Sequence, residues 1–210
     1  MRPDEALARW NARFHGEDYL FGTAPNSFLA AQAGYFQQGQ CALAIADGEG
    51  RNGVFLAKQG LKVLSVDFSP VALAKARRLA VHEGAELETE CADLAQWVWG
   101  RERFDVIAGI FIQFADAKLR AHLFQQMHEA LKPGGLIFIQ GYRPEQIDYG
   151  TGGPKELDHL YTAAMLREAF ADFEILHLAE HDDVIHEGSG HDGMSALVDL
   201  VARKPKTRDA

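Results

Sequence analysis

Residues 41–67 read CALAIADGEGRNGVFLAKQGLKVLSVD, and the reading of this stretch decides the fold. Ala42 to Ala46 is apolar enough for a buried strand. Gly48, Gly50 and Gly53 punctuate a tight turn, Val54 to Ala57 starts a helix, and Leu61 to Val66 makes a second strand ending on Asp67. The pattern predicts a βαβ unit with a glycine-rich first turn. Glycine suits such a turn because it takes positive φ at little cost and lets a ligand approach the backbone, while the helix that follows offers N–H groups with no partner inside the helix. Asp67 stands twenty positions past Asp47, at a strand end where one carboxylate can accept from both hydroxyls of a ribose. The unit is read as a holder for a nucleoside-containing cofactor.

GEGRNG also satisfies the G-x-G-x-x-G dinucleotide pattern, so the cofactor is decided on charge. Asp47 and Glu49 place two carboxylates in the turn, where a pyrophosphate is repelled but the ammonium and sulfonium of S-adenosylmethionine are tolerated. S-adenosylmethionine is expected in preference to NAD. The bland alternative is a glycine turn that only connects a strand to a helix.

Moving outward, 210 residues with 47% hydrophobic content suffice for one well-buried α/β domain spanning residues 1–210. The apolar run Val106 to Ile112 falls short of the roughly 18 residues of a membrane helix, and MRPDEALARW carries no apolar signal core, so a soluble cytoplasmic protein without a membrane partner is expected. A net charge of −9 argues against nucleic acid or an anionic membrane as partner. The basic run from Arg203 to Arg208 is read as a solubilising end. In the expected sheet order Cys41 and Cys91 lie two strands apart. Two spacings of about 4.8 Å exceed the about 7 Å that a disulfide spans, so both are expected to be buried free thiols.

Residues 1–40 read as a helical cap. Ala6, Leu7, Trp10 and Phe14 recur at helical spacing, and a second helix, Ser27 to Phe36, follows Pro25-Asn26. The intervening loop carries Tyr19 and Phe21, which either cap a ligand or pack the loop down. Ser69 and Pro70 start a helix whose stripe is Val71, Ala74, Leu79 and Ala80. Glu86 to Cys91 is a third strand, and Asp93 beyond it either accepts from an exocyclic amine or caps a short helix, Leu94 to Trp99. Phe104 to Ile110 is a central parallel strand, with Phe111 and Gln113 at its carboxyl end, where open α/β sheets bind ligands. A helix, Ala117 to Leu131, ends at Pro133-Gly134-Gly135 before the strand Leu136 to Gln140. Residues 141–161 are aperiodic and glycine-rich and read as a lid-like loop over the ligand crevice. Thr162 caps a helix through Phe170, and Glu174 to Leu178 with Ser195 to Val201 form a closing antiparallel pair.

In this order the pieces GEGRNGVFLAKQG, VDFSP, CADL, FDVIAGIFIQF and LKPGG resemble the class I S-adenosylmethionine-dependent methyltransferases over essentially the whole chain. GEGRN followed by FLA, with YLFGTAPNSFL upstream, is similar to the branch that includes tellurite-resistance methyltransferases. The resemblance implies a doubly wound, mostly parallel seven-stranded sheet of order 3-2-1-4-5-7-6 with strand 7 antiparallel, and S-adenosylhomocysteine as product. It implies that the methionine end lies against Ala46, Asp47, Gly48, Glu49 and Gly50, with Arg51 and Asn52 following. The ribose is then expected at Asp67, and the adenine between Phe68-Ser69 and the Asp93-Leu94 corner, with Ile110 nearby. Where the family carries an acid in the first strand and a glycine at its end, this chain has Ala44 and Ala46. Asp47 could supply the missing carboxylate, and Ala46 is expected to remain extended.

For a small-molecule acceptor, such as a thiol or chalcogen oxyanion, the expected pocket residues are Tyr19, Phe21, Phe111, Gln113, Tyr142 and Arg143. No catalytic residue is assigned. His186 and His191 are candidates should a base be needed. His177 and His181, four apart on a strand and so about 13 Å from each other, do not share a metal, and residues 181–193 are expected to form a solvated hairpin loop. The competing functions are an NAD-dependent oxidoreductase and a non-catalytic cofactor-binding protein.

Overall fold

The computed structural model describes residues 3–206. Its elements are α1 (Pro3–Arg13), α2 (Ser27–Ala31), β1 (Cys41–Ile45), α3 (Arg51–Lys58), β2 (Lys62–Asp67), α4 (Pro70–Glu83), β3 (Leu87–Cys91), β4 (Phe104–Ile110), α5 (Ala117–Ala130), β5 (Leu131–Tyr142), α6 (Gln146–Tyr149), α7 (Ala163–Ala169), β6 (Glu174–Glu187) and β7 (His191–Arg203). The strands form a seven-stranded sheet of order β3-β2-β1-β4-β5-β7-β6. The β1–β2, β2–β3 and β4–β5 pairs are parallel and β5–β7 is antiparallel, as the sequence motifs imply. The chain divides into two compact units, Met1–Trp97 with Glu187–Gly190, and Val98–His186 with His191–Ala210.

In the first unit, β1 and β2 are almost wholly buried because α3 and α4 pack against the sheet. The β3 strand alternates Leu87 and Thr89 with exposed Glu88 and Glu90, as suits an edge. Ser69 caps α4 by accepting from the Ala72 N–H at 3.1 Å, with Pro70 in the first turn. The buried face of α4 is Ala72, Lys75, Ala76 and Leu79; Ala74, placed on that stripe by spacing, is exposed. The expected helix Leu94 to Trp99 is only a turn. The Asp93 carboxylate takes the Ala95 N–H at 3.0 Å, and Trp97 donates its indole N–H to Glu90 at 2.7 Å, which leaves too few residues to propagate a helix. Neither cysteine is in a disulfide, but neither is buried as expected: Cys41 is half-buried, and Cys91 is exposed because it closes the edge strand.

In the second unit, β4 is covered along its length. The β5 strand starts earlier than its apolar core suggests, at Leu131, which pairs with Phe104. A register shift follows, and Pro133 sits in that irregularity, where no ladder N–H is needed. The closing strands are much longer than the expected pair and absorb most of the supposed polar loop. Their polar side chains are met across the hairpin, His181 by Asp199 at 2.8 Å and His186 by Asp192 at 2.5 Å. Residues 141–161 are likewise ordered. They contain α6 and a 3-10 turn at Leu157–His159, and Gln146 accepts from the Ala196 N–H at 2.8 Å. Lys204 is no solubilising tail residue, since its ammonium donates to the His128 and Leu131 carbonyls at 2.8 Å. Arg208 lies outside the described residues. No described helix is long and apolar enough to cross a membrane.

The turn Glu187–Gly190 interlocks with the N-terminal segment. Gly190 donates its N–H to the Leu20 carbonyl at 2.9 Å. Gly188 sits at φ +69° with the Gly22 nitrogen only 2.4 Å from where a Cβ would stand. Gly188→Ala combines a left-handed backbone, costing about 1–2 kcal/mol, with overpacking of about 1–3 kcal/mol. We expect it to lower the thermal midpoint markedly; a midpoint within experimental error of the wild type would show that the turn is not packed this way.

Candidate functional site

The glycine turn follows directly from β1. The register pairs Ile45 with Val66, which sets Asp67 beside the turn. Asp67 Oδ2 accepts the Gly48 N–H at 2.9 Å and Oδ1 accepts the Ser69 N–H at 2.8 Å. The carboxylate thus ties the turn to the start of α4. Burial raises its pKa, against these backbone hydrogen bonds that lower it. Each oxygen keeps a lone pair beyond the one its amide uses. Phe68 is half-buried, Leu94 is buried, and Ala92 donates its N–H to the Asp67 carbonyl at 3.0 Å, which brings Asp93 near this strand end.

Ala46 is not extended. Its φ of +47° puts it in the left-handed region, which accounts physically for a glycine preference at this place. Asp47 points inward: the Ser65 hydroxyl donates to its Oδ2 at 2.9 Å and the Gly53 N–H at 3.1 Å. A Cβ on Gly53 would stand 2.5 Å from that oxygen, so this glycine makes room for a carboxyl that caps α3. The residue is only partly covered, but its carboxyl is enclosed, and burial pushes its pKa up to about 7.

Glu49 is also turned inward. It is 3% exposed, pairs with the Lys75 ammonium, and accepts the Leu20 N–H at 2.7 Å. Lys75 in turn donates to the Asp18 carbonyl and stands 4.9 Å from the Tyr19 ring centre. The charge argument for the turn therefore fails in detail: neither acid presents a free carboxylate there. Arg51 and Asn52 are committed as well, Arg51 to Glu187 at 2.5 Å and Asn52 to the Asn26 N–H at 2.9 Å.

Tyr19 packs with Val54, Leu79 and Ala80 and donates its hydroxyl to the Lys75 carbonyl at 3.2 Å. Phe21 lies against Phe14 and Trp10, at centroid distances of 6.3 and 6.5 Å. Both aromatics fasten the loop.

In the second unit, β4 ends at buried Ile110, and Phe111 follows in the left-handed region at φ +54°. For a bulky residue this is strained, and such strain concentrates at functional sites. The Phe111 ring stands 4.7 Å from Tyr142 and 4.2 Å from His191, with Tyr142 and His191 5.6 Å apart. Gln113 is used structurally, its amide bridging the Tyr142 N–H at 2.6 Å and the Tyr142 carbonyl at 2.8 Å. Arg143 pairs with Asp182, and with Glu145 at 3.2 Å. The structure therefore gathers Phe111, Tyr142 and His191 and leaves Gln113, Arg143 and His186 to other partners.

Sequence reasoning missed Lys75, Asn26 and Glu187. A lysine at helical spacing within the Ala72–Leu79 stripe was the available signal for the first. Glu187 had none.

Residues 42–135 match the family described as "Methyltransferase domain". A curated relative, Hemagglutinin 1 of Eikenella corrodens, is 26% identical over 165 residues, covering 78% of this chain and 54% of its own length, so this chain spans about half of that relative. A structure solved for the conversion of a disulfide bond into a thioacetal group during echinomycin biosynthesis superposes with a TM-score of 0.76 at 20% identity, over 98% of this chain and 93% of that one. TehB from Haemophilus influenzae gives 0.72 at 21% identity, over 87% and 63%.

Because the folded pKa of Asp47 lies above its ordinary value, the folded state binds more protons than the unfolded state between about pH 4 and 7. Its contribution to stability therefore falls as pH rises through that window. Asp47→Asn should flatten the slope of unfolding free energy against pH there, measured by denaturant titration. The remaining slope includes Asp67, which shifts in the same direction.

Proposed function

We propose, from the premise that this chain carries a methyltransferase domain of the S-adenosylmethionine-dependent class, that it moves a methyl group to a small-molecule acceptor in the cytoplasm, acting as a single domain over residues 1–210. The observation that carries the cofactor assignment is Asp67. Its partners are backbone amides rather than cations, and its two oxygens are ordered side by side at the end of β2. A ribose diol supplies two donors of the kind such a carboxylate lacks. The residues therefore fit the group.

When bound, S-adenosylmethionine supplies a methyl group already activated on a sulfonium, so the chain's task is to align an acceptor about 3 Å away and keep water out. Asp67 holds and orients the ribose, and the turn Ala46–Gly50 shapes the backbone beside it. Phe111 and Tyr142, packed ring to ring, are the aromatics we assign to the acceptor's side of the reaction. His191, packed edge-on against Phe111, is our candidate to take a proton if the acceptor has one to lose.

A soft nucleophile, a small thiol or a chalcogen oxyanion, is the acceptor class we infer. The motif likeness to the tellurite-resistance branch, the aromatic cluster of Phe111, Tyr142 and His191 and the net charge of −9 support it, the last by disfavouring nucleic acid. A non-catalytic cofactor-binding role is the second reading. It is favoured by the Cβ of Ala46, held in a left-handed conformation where the family usually has glycine.

Two measurements test these readings. Asp67→Ala should weaken S-adenosylhomocysteine binding by about 1.5–3 kcal/mol, the range for hydrogen bonds to a charged group, in calorimetry on variant protein shown to be folded. Unchanged affinity would remove the ribose assignment, and preferential binding of NADH would turn the reading to an oxidoreductase. A screen of thiols, selenite, tellurite, amines and phenols, read by S-adenosylhomocysteine release, should score the soft nucleophiles highest. Tight cofactor binding without turnover would favour the second reading.

A further inference from the structure

Glu187 belongs to no motif, yet it is 8% exposed and joins three distant segments. Its Oε2 stands 2.5 Å from Arg51 Nη2, and its Oε1 accepts from Asn26 Nδ2 at 3.0 Å and the Ser27 N–H at 3.1 Å. Arg51 is the first residue of α3, immediately after the glycine turn, and Asn26 caps α2. The N-terminal segment between Phe14 and Ser27 is held a second time by Glu49, through the Leu20 N–H at 2.7 Å and through Lys75. It also lies over the turn itself: the Phe14 ring is 3.5 Å from where a Cβ on Gly48 would stand.

The two fasteners differ in kind. Glu49 and Lys75 both belong to the elements around the turn and can stay paired when the cap lifts. Glu187 arrives from a chain position 136 residues beyond Arg51, as the last residue of β6 before the tight turn of Gly188 to Gly190. Separating it strips a buried guanidinium and a buried carboxylate of their partners, which is costly in a low-dielectric setting.

Resting on the cofactor reading above, we propose that Glu187 is a positioning residue: a clasp that closes the N-terminal cap on the cofactor turn through Arg51 and Asn26 and sets the rate at which the donor exchanges. S-adenosylhomocysteine release then requires the clasp to open.

The test uses the full chain, with stopped-flow displacement of S-adenosylhomocysteine and amide hydrogen exchange. In Glu187→Gln, where hydrogen bonds to a charge are weakened, release should be faster by about tenfold or more. The amides of residues 19–27 should exchange faster by a similar factor while those of β1 and β2 do not change. Glu187→Asp, which keeps the charge, should fall between the two. Release within about twofold of wild type, or exchange raised equally in β1 and β2, would reduce Glu187 to a structural prop and overturn the proposal. If Glu187→Gln does not fold, the same two measurements on Glu187→Asp decide. Absence of S-adenosylhomocysteine binding by the wild-type chain would overturn the cofactor reading and the exchange claim with it. The hydrogen-exchange result would still decide whether Glu187 fastens the cap.

Discussion

One carboxylate at the end of β2 organises the glycine turn. The parallel register of β1 and β2 delivers Asp67 to the point where β1 gives way to the turn, and its two oxygens there hold the Gly48 and Ser69 amides. The turn and the start of α4 are thereby referenced to the same atoms. A shift of one residue in that pairing would point Asp67 to the opposite face of the sheet. The turn would lose its anchor and α4 its entry geometry. The β1 strand is buried from Ala42 to Ile45, as suits a central parallel strand covered on both faces.

Around that anchor the chain spends its charges on closure rather than on display. Glu49 and Arg51 sit in the stretch that reads as a ligand fingerprint, yet each is turned to a partner that holds the N-terminal segment. Buried ion pairs of this sort contribute little net stability when intact, but removing one member is expensive. They therefore specify one arrangement of the cap more than they strengthen the fold. Asp47 follows a different rule: hydrogen-bonded to Ser65 and Gly53 without a cation in contact, it responds to burial by holding its proton to about neutral pH.

The fold was legible because its signals are local and periodic. Apolar runs marked β1, β2 and β4, Ser69-Pro70 marked the start of α4, and Thr162 marked that of α7. The place of Asp67 at the end of β2 was legible because the apolar run before it fixes where the strand stops. What escaped depends on direction or distance. Side-chain orientation separates Glu49 and Asp47 as inward groups from the outward carboxylates assumed for them, and no spacing rule encodes it. The left-handed conformation of Ala46 is imposed by the turn against the preference of an alanine. The polar β6 and β7 ends were mistaken for loop because their histidines and aspartates satisfy one another only across the hairpin. Glu187 is invisible for the same reason, since its partners lie more than a hundred residues away.

That separation also orders events during synthesis. Arg51, Asn26 and the glycine turn leave the ribosome first, and the carboxylate that completes their setting emerges 136 residues after Arg51 and 161 after Asn26. Until then Arg51 lacks this carboxylate, and the N-terminal segment docks through Glu49, Lys75, Asn52 and the apolar seat of Tyr19. The Asn26 end of the cap thus gains its full set of partners only once residue 187 has been made. A nascent chain that stops before residue 187 lacks the carboxylate that ties Arg51 to Asn26 and Ser27.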